Sequence, residues 1–301
     1  MLLALATRSD LPTWEIDDRH LHAALSARGV AWERPVWDDP AVDWRKFDGV
    51  LIRTTWDYQD KLPAFQAWVR AVAAVTHLQN PAPVVLWNTH KRYLRQLQQH
   101  GVPLAPTLWL ERGTAVDVAA LVQEAGFREG FLKPCVGATA RETLRFAADP
   151  AGFAQAQAHV DRLLPHEDLM LQPFLGRVMD RGEWSAIFVD GQIAHCVRKI
   201  PVPGDYRVQD DFGARDERYE PSATERALAQ HAMQVVHEVG GPCPGAEGIP
   251  LLYGRADFLW AEDGSCVLTE LELVEPSLFL RHAPATGERL AEAWLRRLSG
   301  R

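Results

Sequence analysis

Cysteine is scarce in this chain, and its few cysteines are widely separated. The 301 residues include 4 cysteines, Cys135, Cys196, Cys243 and Cys266, and none has the spacing of a metal site. The apolar start at residues 1–6 is short and has no basic leader, so it predicts a first β-strand rather than a signal peptide. Reduced, packed thiols and a cytoplasmic location are therefore expected.

Long hydrophobic runs and excess positive charge are also missing. No apolar run reaches the length needed to span a membrane. Lys and Arg number 32 against 40 Asp and Glu, which gives a formal net charge of -8. This balance argues against a nucleic-acid partner and requires local basic side chains for any anionic ligand. No glycine-rich fingerprint follows the first strand, which argues against a nicotinamide or flavin cofactor.

What the sequence does contain is enough apolar material for a large core and more than one domain. Hydrophobic residues make up 47% of the chain. Strands at residues 2–6 and 49–53, with a helix at 17–28 between them, predict an α/β unit with a buried parallel sheet. Pro81 and Pro83 indicate a boundary. After it, Asn88 is expected to cap a helix that runs to His100.

Two polar loops are predicted at the carboxyl ends of the first strands, where ligands bind in such sheets. One includes Ser9, and the other follows Arg53 and contains Trp56 and Asp57. These side chains suit a small amino-acid-like ligand. Packing of Trp56, with Arg53 paired to Asp57, explains this segment equally well.

A lysine in the middle of the chain needs an anionic partner. Lys133 lies in a short apolar strand at residues 130–134, where an unpaired charge would be costly. The small residues at 135–141 follow it, and their backbone N–H groups can cover phosphates. A plain hairpin connection is the alternative for this loop.

Near the end of the chain, apolar and charged residues alternate at 254–260 and again at 268–273. This pattern predicts an antiparallel hairpin with one face in the core. Asp257 would then stand opposite Glu270 or Glu272. Three carboxylates on one face, without His or Cys nearby, suit Mg²⁺ or Mn²⁺ unless the face is simply solvated. An earlier hairpin is predicted at residues 183–199, in which His195 is expected to be a core residue.

Basic side chains on separate elements precede this acidic hairpin, and their order resembles the ATP-grasp superfamily of carboxylate–amine ligases. Two further segments, 53–58 and 203–209, most resemble the branch that contains the D-cycloserine-forming cyclo-ligase. The segments that carry the superfamily resemblance are residues 88–91, 131–134, 171–175, 182–183, 190–191, 255–257 and 269–272.

The resemblance implies a fold of three parts. A Rossmann-like pre-ATP-grasp domain is expected at residues 1–88. Two ATP-grasp subdomains are expected at 89–170 and 171–301, and the nucleotide would be clamped between them. A homodimer is implied by analogy only.

The resemblance also implies how ATP is held. Lys91 and Lys133 would contact the phosphates, and Lys199 the γ-phosphate region. The residues implied at the remaining parts of the nucleotide site are Gly137 in the shortened phosphate loop, Gln172, Phe174 and Leu175 at the adenine, and Glu183 at the ribose.

The implied chemistry begins with attack of a substrate carboxylate on the γ-phosphate. Asp257, Glu270 and Glu272 would bind the metal, and an amine would then displace phosphate from the acyl phosphate. Arg255 and Arg207 would hold the carboxylate bidentately and stabilise the tetrahedral anion. ADP and phosphate would be released, with the amine on the same molecule or on a second one. A nucleotide-binding sensor without catalysis, or a ligase that modifies a protein terminus, remain the alternatives.

Overall fold

The structure, a computed structural model, describes residues 1–11, 17–240 and 250–300. Cys243 and almost all of the Gly/Pro-rich stretch at 240–250 lie outside the described residues. Across the described residues, helices and strands form a mixed α/β fold built on three sheets. The predicted α/β class is confirmed.

The first sheet is parallel, with the strand order β2-β1-β3-β4. Strands β1 and β3 are almost entirely buried because helices cover the sheet, as their continuous apolar sequences predict. The elements of this region are β1 (Leu2–Thr7), α1 (Arg19–Ala27), β2 (Ala31–Glu33), β3 (Gly49–Thr54), α2 (Leu62–Ala73) and β4 (Leu78–Gln79).

The second sheet is antiparallel, with the order β5-β8-β6-β7. Its apolar side packs on two helices around buried residues such as Leu132 and Val160. The elements here are α3 (Ala82–Asn88), α4 (Tyr93–Gln99), β5 (Leu108–Leu110), α5 (Val118–Ala125), β6 (Glu129–Pro134), β7 (Leu144–Ala147), α6 (Pro150–Leu163) and β8 (Leu169–Pro173).

The third sheet has five strands in the order β11-β10-β9-β12-β13. Trp184 and Phe258 stack in its core with ring centroids 4.3 Å apart, and α8 begins with a capping box made by Ser222 and Glu225. The elements are α7 (Val178–Arg181), β9 (Glu183–Val189), β10 (Gln192–Ile200), β11 (Arg215–Arg218), α8 (Ala223–Val239), β12 (Tyr253–Trp260), β13 (Cys266–Glu272) and α9 (Pro284–Ser299).

The predicted role of Asn88 as a helix cap is wrong. Asn88 is the last residue of α3, and the next helix begins at Tyr93. The Asn88 amide nitrogen donates to the carbonyl of Leu271 at 2.8 Å, and its oxygen accepts from the amide of Leu273 at 2.7 Å. A buried amide bonded on both sides stabilises a tertiary contact, so Asn88 fixes the end of β13 rather than a helix.

Replacing Asn88 with alanine is expected to lower the free energy of unfolding by about 2–4 kcal/mol. The substitution leaves two buried backbone groups of the β13 region without partners, and each costs ~1–3 kcal/mol. Denaturant unfolding of the purified variant measures the change. Gln98→Ala, at an exposed position of α4, is the matched control and should stay within about 0.5 kcal/mol of the parent. Equal stability of both variants would contradict this role of Asn88.

Candidate active site

A cavity of about 460 Å³ lies between the second and third sheets. It is lined by β6 and β8 on one side and by β9, β10, β12 and β13 on the other. The predicted site residues that line it are Trp56, Lys91, Lys133, Gly137, Gln172, Phe174, Leu175, Glu183, Lys199, Arg207, Arg255, Asp257, Glu270 and Glu272. Residues that are distant in sequence therefore meet at one place.

The acidic hairpin forms with the expected register. Asp257 on β12 stands opposite Glu270 on β13, and Arg255 stands opposite Glu272. Side chains two residues apart on a strand point to the same face, so these four charged groups share the cavity wall. The alternative of a solvated strand face does not hold, because Asp257 is only 3% exposed.

Each of the three acids is paired with a cation. Lys91 Nζ lies 2.8 Å from Glu270, and Lys199 Nζ lies 3.3 Å from Asp257. Arg255 contacts both Asp257, at 3.0 Å, and Glu272. The cavity wall is thus a network of alternating charge with little surplus of either sign.

Burial and neighbouring charges shift the pKa values of Glu272 and Asp257 in opposite directions. Burial raises the pKa of Glu272 to about 7; Arg255 opposes this rise, and Asp257 and Glu270 add to it. Burial also acts to raise the pKa of Asp257, but Arg255 and Lys199 outweigh it and the pKa of Asp257 is lowered. Asp257 is therefore the firmly charged member of the group.

The donor set fits a hard divalent cation, although the carboxylates are not gathered into a ready-made cluster. In the part of the chain that the structure describes, no group of three or more His, Cys, Asp or Glu side chains is arranged to hold a metal ion. Lys91, Lys199 and Arg255 instead form ion pairs with these carboxylates. Binding of Mg²⁺ or Mn²⁺ by Asp257, Glu270 and Glu272 therefore stays a prediction, supported by their all-oxygen chemistry.

Lys133 differs from the other cavity lysines because no acid neutralises it. Its Nζ donates only to the carbonyl of Thr269, at 3.5 Å, and no carboxylate lies within ion-pair distance among the described residues. Burial lowers the pKa of Lys133, and nearby Glu270 offsets only part of this effect. A lysine in this setting is stabilised by an anion that enters the cavity.

The small-residue loop between β6 and β7 lies above Lys91. The lysine Nζ donates to the carbonyl of Gly137 at 2.6 Å. Thr139, Ala140 and Glu142 adopt positive φ values near 50°, which L-residues rarely adopt outside functional loops. Gly137 itself is not forced by geometry, because a Cβ at this position would meet only ordinary contacts.

The wall on the side of the second sheet is aromatic. Phe131, Phe174 and Tyr206 form a cluster with ring centroids 5.5–6.2 Å apart. Arg145 lies 4.0 Å above the ring of Phe174, and Gln172 donates to Thr107 at 2.8 Å. The rings are inclined to one another by 50–86° and form an apolar corner of the cavity. Binding of adenine by Gln172 and Phe174 stays a prediction, and Tyr206 joins them from the loop after β10.

The expected bidentate grip of Arg255 on a carboxylate is not available in this arrangement. Its Nε and Nη2 donate to Asp257 and Glu272, and Nη1 donates to the carbonyl of Ser277 at 3.0 Å. One N–H of Nη1 is left for a ligand, because arginine has five donors. Arg207 pairs with its neighbour Asp205 and lies on the loop that borders the cavity.

Three predicted substrate residues lie elsewhere, and for them the structure corrects the expectation. Arg53 is buried in an ion pair with Asp18, at 2.8 Å, so it is engaged inside the first domain. Asp57 accepts hydrogen bonds from Trp37 at 2.9 Å and from Lys61. Ser9 is exposed at the surface. None of the three lines the cavity.

Glu275 and Arg281 are among the charged residues of the cavity that sequence reasoning missed. Both follow β13 in a segment without periodicity, next to the prominent pattern of Glu270 and Glu272. Arg281 pairs with Asp17, Asp210 and Asp216 from three separate segments. The sequence offered one signal for this part of the site. Glu275 lies beside Pro276 shortly after the end of β13, and a charged residue in such a segment is a candidate for ligand binding.

His195 and Cys135 lie outside the chemistry, as expected. His195 is 8% exposed, and its Nδ1 lies 3.0 Å from Thr286 Oγ1. Burial raises the pKa of the Cys135 thiol to about 12, which disfavours the nucleophilic thiolate.

The buried imidazole of His195 makes the free energy of unfolding depend on pH. Burial lowers the pKa of His195 from 6.5 to about 4. The unfolded chain therefore binds a proton between pH 6.5 and 4 while the folded chain does not, and the free energy of unfolding decreases as the pH falls through this window. The His195 contribution should reach on the order of 2–3 kcal/mol. Denaturant unfolding at several pH values should show a shallower slope for His195→Asn than for the parent. His237→Asn, at an exposed position of α8, should keep the parent slope, and identical slopes for all three proteins would contradict the assignment.

Comparison with known proteins identifies the family to which this chain belongs. Residues 3–80 match the model described as the N-terminal domain of D-cycloserine synthetase DcsG. The chain is 33% identical over 306 residues to the cycloserine biosynthesis protein DcsG of Streptomyces lavendulae, with 99% of each chain covered. The chain belongs to the D-cycloserine synthetase family of ATP-grasp ligases. It is an ATP-dependent ligase that forms carbon–nitrogen bonds.

Solved structures agree with the D-cycloserine synthetase assignment. The crystal structure of D-cycloserine synthetase DcsG matches with a TM-score of 0.87 at 31% identity, over 99% of this chain and 100% of that one. The ATP-grasp ligase PsnB, complexed with minimal precursor, Mg and ADP, matches with a TM-score of 0.63 at 17% identity, over 99% and 98% of the two chains. The second likeness shows the fold, and the predicted ATP-grasp architecture is confirmed. Among the described residues of the present chain, no helix is both long enough and apolar enough to span a membrane. The domain limits at 88 and 170 stay predictions.

Proposed function

We propose that this ligase closes a ring within one small amino-acid-like molecule, joining its carboxylate to its own aminooxy nitrogen to give D-cycloserine or a close analogue. The observation that carries the proposal is the convergence of Lys133, which has no counter-charge, with paired acids and lysines on one cavity. The family relationship supplies the product class. D-cycloserine is a cyclic hydroxamate, so opening its amide gives O-amino-D-serine.

ATP would lie across the cavity with its adenine near the aromatic wall. Gln172, Phe174 and Leu175 would line the base, and Glu183 would accept from the ribose hydroxyls. Lys91, Lys133 and Lys199 would then contact the phosphates. This orientation is supported by the aromatic cluster of Phe131, Phe174 and Tyr206 and by the three lysines, all of which line the cavity.

Asp257, Glu270 and Glu272 would hold Mg²⁺, or Mn²⁺ in its place. The cation would offset negative charge on the phosphoryl oxygens. The three acids could bind the cation without leaving charges unpaired if the lysines and the acids exchanged partners when ATP and the cation bind. The phosphates would take over Lys91 and Lys199, and their former partners would become ligands of the cation.

The first chemical step would be attack of the substrate carboxylate on the γ-phosphate, with release of ADP. The lysines would offset charge on the transferred group. The aminooxy nitrogen of the same molecule would then attack the acyl phosphate. A tetrahedral oxyanion would form and expel phosphate, and the nitrogen would lose a proton.

Arg255 and Arg207 would serve this second step in different ways. Arg255 has one N–H left for the oxyanion, while its other donors keep it fixed against Asp257 and Ser277. Such a donor is preorganised, which favours the transition state over the ground state. Arg207 would act from the loop that closes the cavity and keeps water from the acyl phosphate.

The remaining parts of the proposal are a small-molecule substrate contacted by Trp56 and a cytoplasmic location. A homodimer has no support from the contacts of the single chain and stays a prediction by analogy. A sensor without catalysis has no observation in its favour, because the charged residues of the cavity are all present. A ligase for a protein terminus is likewise unsupported.

A screen for ADP formation tests the proposed function. O-amino-D-serine and its L-enantiomer are compared with separate amino acids offered in pairs, and products are identified by mass. We expect ADP release with O-amino-D-serine alone, and a product lighter than the substrate by one water. ADP formation only with pairs, and a linear dipeptide product, would contradict ring closure.

A further inference from the structure

One buried acid on the cavity wall, Glu275, has no counter-charge among the described residues. Glu275 follows β13, is 6% exposed and lines the cavity. The acids on β9, β12 and β13 that line the same wall all lie within ion-pair distance of a lysine or arginine. Within the described ranges, no lysine or arginine lies that close to the carboxylate of Glu275. Glu275 therefore resembles Lys133, which likewise lines the cavity without a partner of opposite charge among the described residues.

The backbone around Glu275 is fixed on both sides. Trp56 Nε1 donates to the carbonyl of Glu275 at 3.0 Å, and Arg255 Nη1 donates to the carbonyl of Ser277 at 3.0 Å. Trp56, Arg255 and Ser277 all line the cavity. Glu275 is thus held beside the part of the cavity wall that Arg255 contacts, where the reacting carboxylate would bind.

A carboxylate in this position needs a cationic ligand. Burial raises the pKa of Glu275 well above its ordinary value, and Glu272 and Glu270 add to the effect. Arg255 and a backbone hydrogen bond act in the opposite direction, but they offset only part of this rise in pKa. A bound ammonium group would stabilise the charged form further, because a buried charge is stabilised by a partner of opposite sign.

We propose that Glu275 binds the α-ammonium group of the substrate and so selects α-amino acids over acids that lack this group. The inference rests on the proposed function, which requires a substrate with a reacting carboxylate and a reacting nitrogen. The α-ammonium is a third group, and the acids on β9, β12 and β13 are already paired with lysine or arginine. Glu275 is a specificity-determining residue in this account.

Calorimetry tests the inference without requiring turnover. Binding of O-amino-D-serine and of 3-aminooxypropanoate, which lacks only the α-amino group, is measured to the full chain with Mg²⁺ and a non-hydrolysable ATP analogue. The parent enzyme should bind the amino compound on the order of 100-fold more tightly, which is typical of a buried charge pair. Glu275→Gln should reduce this preference to about fivefold or less, since the neutral amide keeps only a hydrogen bond. Glu288→Gln, at an exposed position of α9, should keep the parent preference.

The outcomes separate this inference from the proposed function. If Glu275→Gln keeps the parent preference, or if the parent binds both compounds equally or neither, the inference is overturned. A variant that loses only turnover while keeping the preference would indicate proton transfer by Glu275, which also overturns it. If the parent shows the preference and the variant loses it, but O-amino-D-serine is not cyclised, the proposed function fails and the inference stands.

Discussion

Lys133→Met is expected to lower kcat/KM for ATP on the order of 100- to 1,000-fold. The lysine has no acidic partner among the described residues, so its charge is available for the phosphates. Loss of one preorganised donor to a developing negative charge costs about this much in rate. Steady-state ADP formation with saturating amino-acid substrate measures the change.

The stability of the same variant provides an internal check. Removal of an enclosed charge that lacks a protein partner should leave the free energy of unfolding unchanged or raise it. Lys46→Met is the matched control, because Lys46 lies at the surface and pairs with Glu33. Activity of Lys133→Met within about threefold of the control would contradict the role given to Lys133.

Glu270→Gln is expected to lower kcat on the order of 100-fold and to raise the Mg²⁺ concentration required for half-maximal rate. Glu270 forms an ion pair with Lys91 at 2.8 Å, and it stands opposite Asp257 on the hairpin. An amide is a weaker ligand for a hard cation than a carboxylate, and disturbance of a metal site commonly costs 10- to 100-fold or more. Titration of Mg²⁺ at fixed ATP measures both effects.

A second ion pair in the same sheet serves as the comparison. Glu217 on β11 pairs with Arg198 on β10 and does not line the cavity. Glu217→Gln should change neither kcat nor the Mg²⁺ requirement, since an exposed pair contributes little. If Glu270→Gln needed no more Mg²⁺ than the parent enzyme, Glu270 would be a structural partner of Lys91 and not a metal ligand.

The parts of the site that could be predicted from sequence are those with a strict period. Alternation at residues 254–260 and 268–273 determines which side chains share a face. It left Glu270 and Glu272 as possible partners of Asp257, and the structure pairs Asp257 with Glu270. A lysine inside an apolar strand is conspicuous for the same reason, which made Lys133 identifiable. Local sequence patterns were therefore sufficient to identify the acids of the hairpin and Lys133 as candidate site residues.

The pairing of side chains across the chain could not be predicted in this way. Arg53 was expected at the substrate, but its partner is Asp18, in a segment that local pattern does not connect with β3. Asn88 looked like a helix cap, yet its amide bonds to β13, more than 180 residues away. Such choices depend on tertiary contacts, which have no period in the sequence.

Arg255 pairs with Asp257 and Glu272, and Lys91 pairs with Glu270. The same side chains therefore contribute to stability as well as to the proposed site. An experiment that follows atoms through the reaction separates a structural network from a catalytic one.

Transfer of oxygen from substrate to phosphate tests the central claim most directly. O-amino-D-serine labelled with ¹⁸O in its carboxylate is converted with unlabelled ATP, and the released phosphate is examined by mass spectrometry. Attack of the carboxylate on the γ-phosphate predicts one ¹⁸O atom in each phosphate released with ADP. Unlabelled phosphate, or release of AMP and pyrophosphate, would contradict activation through an acyl phosphate in this cavity.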